Sequence, residues 1–348
     1  MRLRWLCSGF SCRFPSWASS NGFGRHECLS ELDFHTYYAN ITEKNMLKNG
    51  LGTIAFLFLL LMPSIALAEL KIVATLPTLG ALAREIGGGD VSVETLASNA
   101  EDPHYVSPRP DFILKLNQAD LLIYNGMELE IGWLPSIQKN ARNSKVLEGG
   151  KGALDASKFI QPLHVPTGRT DRSQGDIHAQ GNPHYLYSLP NCMIVSKAIA
   201  AKMMELDPDH AANYQARLDN FMRKAEAENA YWMARFAGLS KEKRKLLSYH
   251  DSMIYLTTWL GLEQKGTIEP LPGVSPSPSH VTMLVSRCKS EPVAYILQEN
   301  YQPKATSDQI GKILQAKRIS LVPGPSADEA YLDYLHKQLE AFFEVSGQ

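Results

Sequence analysis

From residue 69 onward the apolar positions come in short blocks whose period alternates between two and about 3.6, and each change of period marks an element. Leu70-Lys71-Ile72-Val73-Ala74-Thr75-Leu76 predicts a strand, and 77–86 a helix stopped by Gly87-Gly88-Gly89. A second strand follows at 91–96, a short amphipathic helix at 111–116, a third strand at 119–124 turned by Asn125-Gly126, a helix at 130–139 and a fourth strand at 145–148. Residues 161–183 break the alternation with a polar, proline- and glycine-punctuated loop, and a helix at 191–206 ends the first half. Asp207-Pro208 is a helix start, with Asp as N-cap and Pro in the first turn. No further proline or glycine interrupts the chain until Gly238, which predicts one helix roughly 45 Å long. The β/α alternation then resumes: strand 245–249, helix 252–260, helix 279–289, strand 292–297, helix 304–316, strand 318–322 and a closing helix at 327–343.

Strands alternating with helices imply parallel βαβ units with helices on both faces. The fold class expected is therefore α/β: two α/β lobes with mainly parallel sheets, joined by a single long α-helix. The expected boundaries are 69–207 for the N-terminal lobe, 208–238 for the linking helix and 239–348 for the C-terminal lobe.

Upstream, residues 51–68 form the most apolar run of the chain, preceded by Met46-Leu47-Lys48-Asn49-Gly50 and closed by Ala66-Leu67-Ala68. A basic start, an apolar stretch and a small-x-small ending describe a secretory signal peptide over 46–68, with cleavage before Glu69. Residues 1–45 carry no sustained periodicity, and translation is expected to begin at Met46, outside of which the natural product would not extend. The mature chain would carry 29 basic against 32 acidic residues, a balance that suggests no nucleic-acid partner. Of five cysteines only Cys192 and Cys288 would remain, too few for a disulfide scaffold but enough for one bridge. No cysteine follows the cleavage site, so the expectation is a monomer free in the periplasm, without a lipid anchor.

Three histidines share one kind of position. His104 lies in the proline-stiffened turn Asp102-Pro103-His104-Tyr105, His184 directly follows Pro183, and His250 directly follows a strand. In open parallel sheets ligands bind beyond the carboxyl ends of the strands. Two of the three precede the long helix and one follows it, so facing lobes would bring the imidazoles together. Three imidazoles and one further donor satisfy tetrahedral Zn²⁺. Three histidines with an open position also describe catalytic zinc, but no glutamate pairs with them as in H-E-x-x-H, and only Asp251 could act as a base.

The D-P-H-x-Y-x-x-P-R-P-D stretch at 102–111, N-P-H at 182–184, Y-H-D-S at 249–252 and P-G-V-S-P-S at 272–277 together resemble the zinc/manganese-binding solute-binding proteins of ABC importers, the cluster A-I family. The resemblance spans 69–343. It implies two lobes joined by one long helix, a metal ion held between them by His104, His184 and His250, no enzymatic activity, and delivery to a membrane permease. Many members place an aspartate directly after the last strand, where this chain has Pro323-Gly324-Pro325-Ser326. Asp328 is then the first choice for a fourth ligand, Glu329 the second, with water and Glu101 behind them. His164 and His178 occupy the loop that is histidine-rich in zinc importers, and are read as loop residues without a role in preference to accessory metal collectors. Three neutral imidazoles favour Zn²⁺ over Mn²⁺ or Fe²⁺, which draw more on carboxylate oxygen.

Overall fold

A computed structural model describes residues 69–168, 178–271 and 273–346. The expected signal peptide (46–68) and the segment before it (1–45) lie outside the described residues. The strands are β1 (Leu70–Ala74), β2 (Val91–Thr95), β3 (Leu121–Tyr124), β4 (Ala153–Asp155), β5 (Lys245–Ser248), β6 (Glu263–Thr267), β7 (Tyr295–Glu299) and β8 (Lys317–Leu321). The helices are α1 (Pro77–Gly87), α2 (Pro110–Gln118), α3 (Leu134–Ala141), α4 (Leu189–Leu206), α5 (Ala211–Ala237), α6 (Ile254–Leu260), α7 (Pro278–Ser290), α8 (Lys304–Leu314) and α9 (Tyr331–Ser346).

The strands make two four-stranded sheets, ordered β2-β1-β3-β4 and β6-β5-β7-β8, and every pairing is parallel. Both sheets have the same topology, with the first strand of each lobe second in the order. The loops leaving the central strands β1, β3, β5 and β7 therefore open at the carboxyl edges, where a crevice forms. The sequence pattern finds the right kind of element in most places, and prolines begin α1, α2, α3, α4 and α7, where their missing N–H costs nothing.

The two lobes are joined by α5, whose 27 residues span about 40 Å. Its buried positions Tyr214, Leu218, Phe221, Ala225, Trp232 and Phe236 fall four, three, four, seven and four residues apart, one continuous stripe. The expected cap at its start takes another form: Pro208–His210 is a separate 3₁₀ turn, and the Asp207 carboxylate accepts from Tyr214 Oη (2.5 Å) and lies 2.8 Å from His210 Nδ1. Gly238 ends the helix in right-handed geometry (φ −74°). The closing helix α9 packs on β8 but also reaches α5 and α1. One apolar core consequently runs from Leu70 and Ile72 through Phe221 and Trp232 to Leu297 and Phe342. Satellite cores lie on the far face of each sheet.

Two strands differ from the pattern. Residues 145–148 do not extend: Ser144–Val146 is a 3₁₀ turn capped by Asn143, and the fourth strand is Ala153–Asp155. β6 carries no strand signal at all, because none of Glu263, Gln264, Lys265, Gly266 and Thr267 is a large apolar residue. It is an edge strand with a register shift against β5, and its place in the sheet is supplied by β5 rather than by its own composition. Cys192 and Cys288 are both buried and unpaired, so the bridge that two cysteines allow is not made.

Candidate metal centre

Each of the three histidines is delivered by a different local device. Pro103–Tyr105 is a single 3₁₀ turn whose N-cap, Asp102, accepts from the His104 backbone N–H at 3.0 Å. The same carboxylate oxygen lies 2.7 Å from His104 Nδ1. Buried Trp133 fixes the turn from below by donating its Nε1–H to Pro103 O at 3.0 Å. With Nδ1–H engaged, the lone pair of His104 is on Nε2, which is buried and has no hydrogen-bond partner.

His184 is placed by the N-P-H sequence itself. Asn182 Oδ1 accepts from His184 N at 3.0 Å, and Asn182 Nδ2 donates across the crevice to Asp251 O at 2.6 Å. Asn125 Nδ2 donates to Pro183 O at 3.0 Å, and Tyr185 Oη to Asn125 O at 2.5 Å. The motif is thus held by β3's turn on one side and by the second lobe on the other. Gly181 makes the turn before it at φ +111°, where a Cβ would stand 3.0 Å from Leu163 O.

His250 follows β5. Tyr249 N donates to Leu297 O, and Glu269 N donates to Tyr249 O, both at 2.8 Å, so the neighbouring strands β7 and β6 hold the segment. That second bond brings Glu269 to within 2.7 Å of His250 Nδ1. Glu269 is a partner of the site that the sequence pattern misses, since the strand before it, β6, is unrecognisable and nothing in E-P-L-P marks it as a histidine's neighbour.

The three imidazoles converge. Ring centroids are 5.1 Å apart for His104–His184, 5.6 Å for His104–His250 and 5.1 Å for His184–His250, and one ligand atom from each lies within 4.8 Å of the others. His184 Nε2 and His250 Nε2 are 3.2 Å apart. Two bare nitrogens repel at that distance, so the spacing calls for a proton or a cation between them. Burial, with the neighbouring histidines, holds His184 well below the ordinary imidazole value. For His250 burial acts in the same direction, but the hydrogen bond to Glu269 and the charges of Glu299, Glu269 and Asp102 outweigh it and leave the pKa raised.

The family model for zinc-uptake complex component A, periplasmic (ZnuA), matches residues 72–345. The chain belongs to this family. It is 25% identical over 259 residues to the metal ABC transporter substrate-binding lipoprotein SsaB of Streptococcus sanguinis, covering 74% of this chain and 71% of the relative. It is 26% identical over 254 residues to the iron ABC transporter substrate-binding lipoprotein MtsA of Streptococcus pyogenes serotype M1, covering 72% and 69%. Among solved structures, a crystal structure of ZnuA superposes with a TM-score of 0.65 at 22% identity over 80% of this chain and 99% of that one, which shows the shared fold. A Mn-bound periplasmic metal binding protein from Candidatus Liberibacter asiaticus, a single-site mutant, gives 0.66 at 22% identity over the same shares. The ZnuA family comprises substrate-binding proteins of metal ABC transporters, which deliver metal ions to a membrane permease and are not enzymes.

The relatives' names correct one expectation. They are lipoproteins, anchored at the membrane surface, which overturns the reading of an unanchored protein diffusing in the periplasm. That reading rested on Glu69, not a cysteine, following the expected cleavage site, and the signal segment 46–68 itself lies outside the described residues. An extracytoplasmic location is consistent with those names.

The two carboxylates expected to complete the site are elsewhere. Asp328 is exposed and acts on Arg84 of α1. Glu329 accepts from Lys337 Nζ at 2.5 Å and from Ser326 N at 3.1 Å, an ion pair and turn contact at the foot of α9. Neither belongs to the convergent group. Glu101 accepts from Ser98 N at 2.6 Å and serves its own turn. His164 is exposed at the rim, 2.7 Å from Asp251 Oδ2, while His178 stacks on His104 with centroids 5.3 Å apart and planes at 26°. Both line the cavity of about 300 Å³ that opens onto His184 and His250.

Proposed function

We propose that this chain captures Zn²⁺ outside the cytoplasm at His104, His184 and His250 and passes it to its ABC permease. The observation that carries the reading is the 3.2 Å separation of His184 Nε2 and His250 Nε2. Two nitrogens each about 2.0–2.1 Å from a tetrahedral Zn²⁺ stand roughly 3.3–3.4 Å apart, so the pair is already spaced for the ion. Two of the three rings have a carboxylate on the nitrogen that faces away from the centre, Asp102 on His104 and Glu269 on His250. Such carboxylates fix the tautomer and raise ligand basicity. Nitrogen donors with no carboxylate among the converging atoms favour zinc over manganese. Relatives named for manganese and for iron keep those two cargoes as the second reading.

In the same reading residues 69–207 and 239–348 act as the two lobes and 208–238 as the strut that sets their spacing. Zinc, manganese and iron(II) competition titrations on purified protein test the cargo. Zinc is expected to win, and His104→Ala, His184→Ala and His250→Ala are each expected to weaken it by a factor of about 100 or more, beyond the 10–100-fold typical of an outer-shell partner. Preferential retention of manganese, or undiminished zinc affinity in all three variants, would reject the assignment.

A further inference from the structure

The family's aspartate after the last strand is absent here, and Asp328 and Glu329 do not replace it. A different residue stands beside the site. His178 packs its ring on that of His104, 5.3 Å away and nearly parallel, at the mouth of the cavity shared with His184 and His250. Its Nε2 is buried without a hydrogen-bond partner, as is that of His104. Two imidazole nitrogens on neighbouring rings, both buried without partners, are costly unless something else completes them, and a cation can complete both once the His178 ring turns toward it. The segment that carries His178 is tied down: Gly181 N donates to His178 O at 3.2 Å, and Ala179 N donates to Glu128 Oε2 at 2.9 Å.

We propose that His178 is the fourth donor, so that the cargo ion is held by four imidazoles, those of His104, His178, His184 and His250, in place of three and a carboxylate. This rests on the capture reading above and deepens it. His178 stands outside the group whose ligand atoms lie within 4.8 Å of one another, so ligation includes a shift of its side chain when the ion enters. Four neutral nitrogen donors form a tetrahedral set that suits Zn²⁺ and Co²⁺ and gives Mn²⁺ no hard oxygen. His178 is then a specificity residue, and its replacement by a carboxylate should draw the site toward manganese. His164 at the rim, engaged with Asp251, has no part in the set.

The test compares wild type with His178→Ala, His178→Asp, His164→Ala and His104→Ala, using zinc competition titration, manganese titration and the visible spectrum of the Co²⁺-loaded proteins. His178→Ala should weaken zinc by at least about 10-fold, the low end for loss of an outer-shell partner, with a smaller effect on manganese and a weaker, shifted Co²⁺ band. His178→Asp should lower the zinc-to-manganese preference further, and His164→Ala should behave as wild type. X-ray absorption at the zinc edge should count one imidazole fewer in His178→Ala. Zinc affinity and Co²⁺ spectrum unchanged in His178→Ala, with binding lost in His104→Ala, would overturn this inference alone. A wild-type protein that binds no metal would overturn the capture reading and this one together.

Discussion

At the residue scale the site is governed by what sits behind each imidazole. Glu269 is the decisive neighbour, because it keeps His250 charged longer than an ordinary histidine. His250's pKa is raised above the ordinary imidazole value of about 6.5, so its proton competes with the metal from a higher pH than an unperturbed histidine's would. His184 and His178, both lowered, do not compete in the same range. Zinc affinity should therefore begin to fall above pH 6.5 on acidification, by about tenfold per unit while one proton is displaced. Glu269→Gln keeps an acceptor for Nδ1–H but removes the charge, so the onset should move to lower pH. Competition titrations between pH 5.5 and 8 check this, and identical profiles for the two proteins would refute it. The convergence of the three histidines is legible in the sequence because proline and strand-end placement constrain a backbone, and such constraints are local. The partners were not: Glu269 lies 19 residues from His250, and only the pairing of β6 with β5 makes them neighbours.

At the scale of elements the carboxyl ends of β1 and β3 are joined by one buried carboxylate, Glu130. It accepts from Thr75 Oγ1 at 2.6 Å, Asn125 N at 2.7 Å and Gly126 N at 3.1 Å. Burial outweighs those bonds and raises its pKa from 4.5 to about 7. A folded-state pKa above the unfolded one gives stability that is complete below pH 4.5 and is lost as pH rises through about 7, on the order of 3 kcal/mol. Urea denaturation at pH 5 and pH 8 should show that loss, and Glu130→Gln should flatten it; an equal slope in the variant would contradict the assignment. Gly181 is the other pivotal position, at φ +111° with a would-be Cβ 2.8 Å from Pro162 Cβ. Gly181→Ala should cost at least about 1 kcal/mol and weaken zinc, since the turn it distorts carries both His178 and His184. A variant with wild-type melting temperature and zinc affinity would show that the turn tolerates the change. Elements with their own apolar stripe, such as α5, are readable from spacing alone. The edge strand β6 and the 3₁₀ turn at Ser144–Val146 are not, because in both the partner rather than the segment decides the conformation.

At the scale of the whole molecule the question is what moves when the ion enters. The apolar core crosses from the first sheet to the second through α5, and α9 ties β8 back to α1. Across the crevice Asn182 Nδ2 donates to Asp251 O (2.6 Å), Tyr255 Oη to Asn182 O (2.9 Å) and Asn300 Nδ2 to Asn99 O (3.3 Å). A large rotation of one lobe against the other would open that core, where each large side chain is worth roughly 1.5–3 kcal/mol, so hinge closure is opposed by many such contacts at once. The short turns that carry the histidines are anchored by individual hydrogen bonds and not by a continuous apolar core, each worth only about 0.5–1.5 kcal/mol net, so they are the elements expected to respond first, and release to the permease is expected to run through their local motion. Hydrogen exchange with and without zinc separates the two mechanisms. Protection should rise at 102–106, 178–188, 249–253 and 267–271 while the amides of α5 keep the same rates in both states. A change along α5 as large as that in the turns would favour lobe rotation, and equal protection at every crevice turn would remove local motion as the route of release.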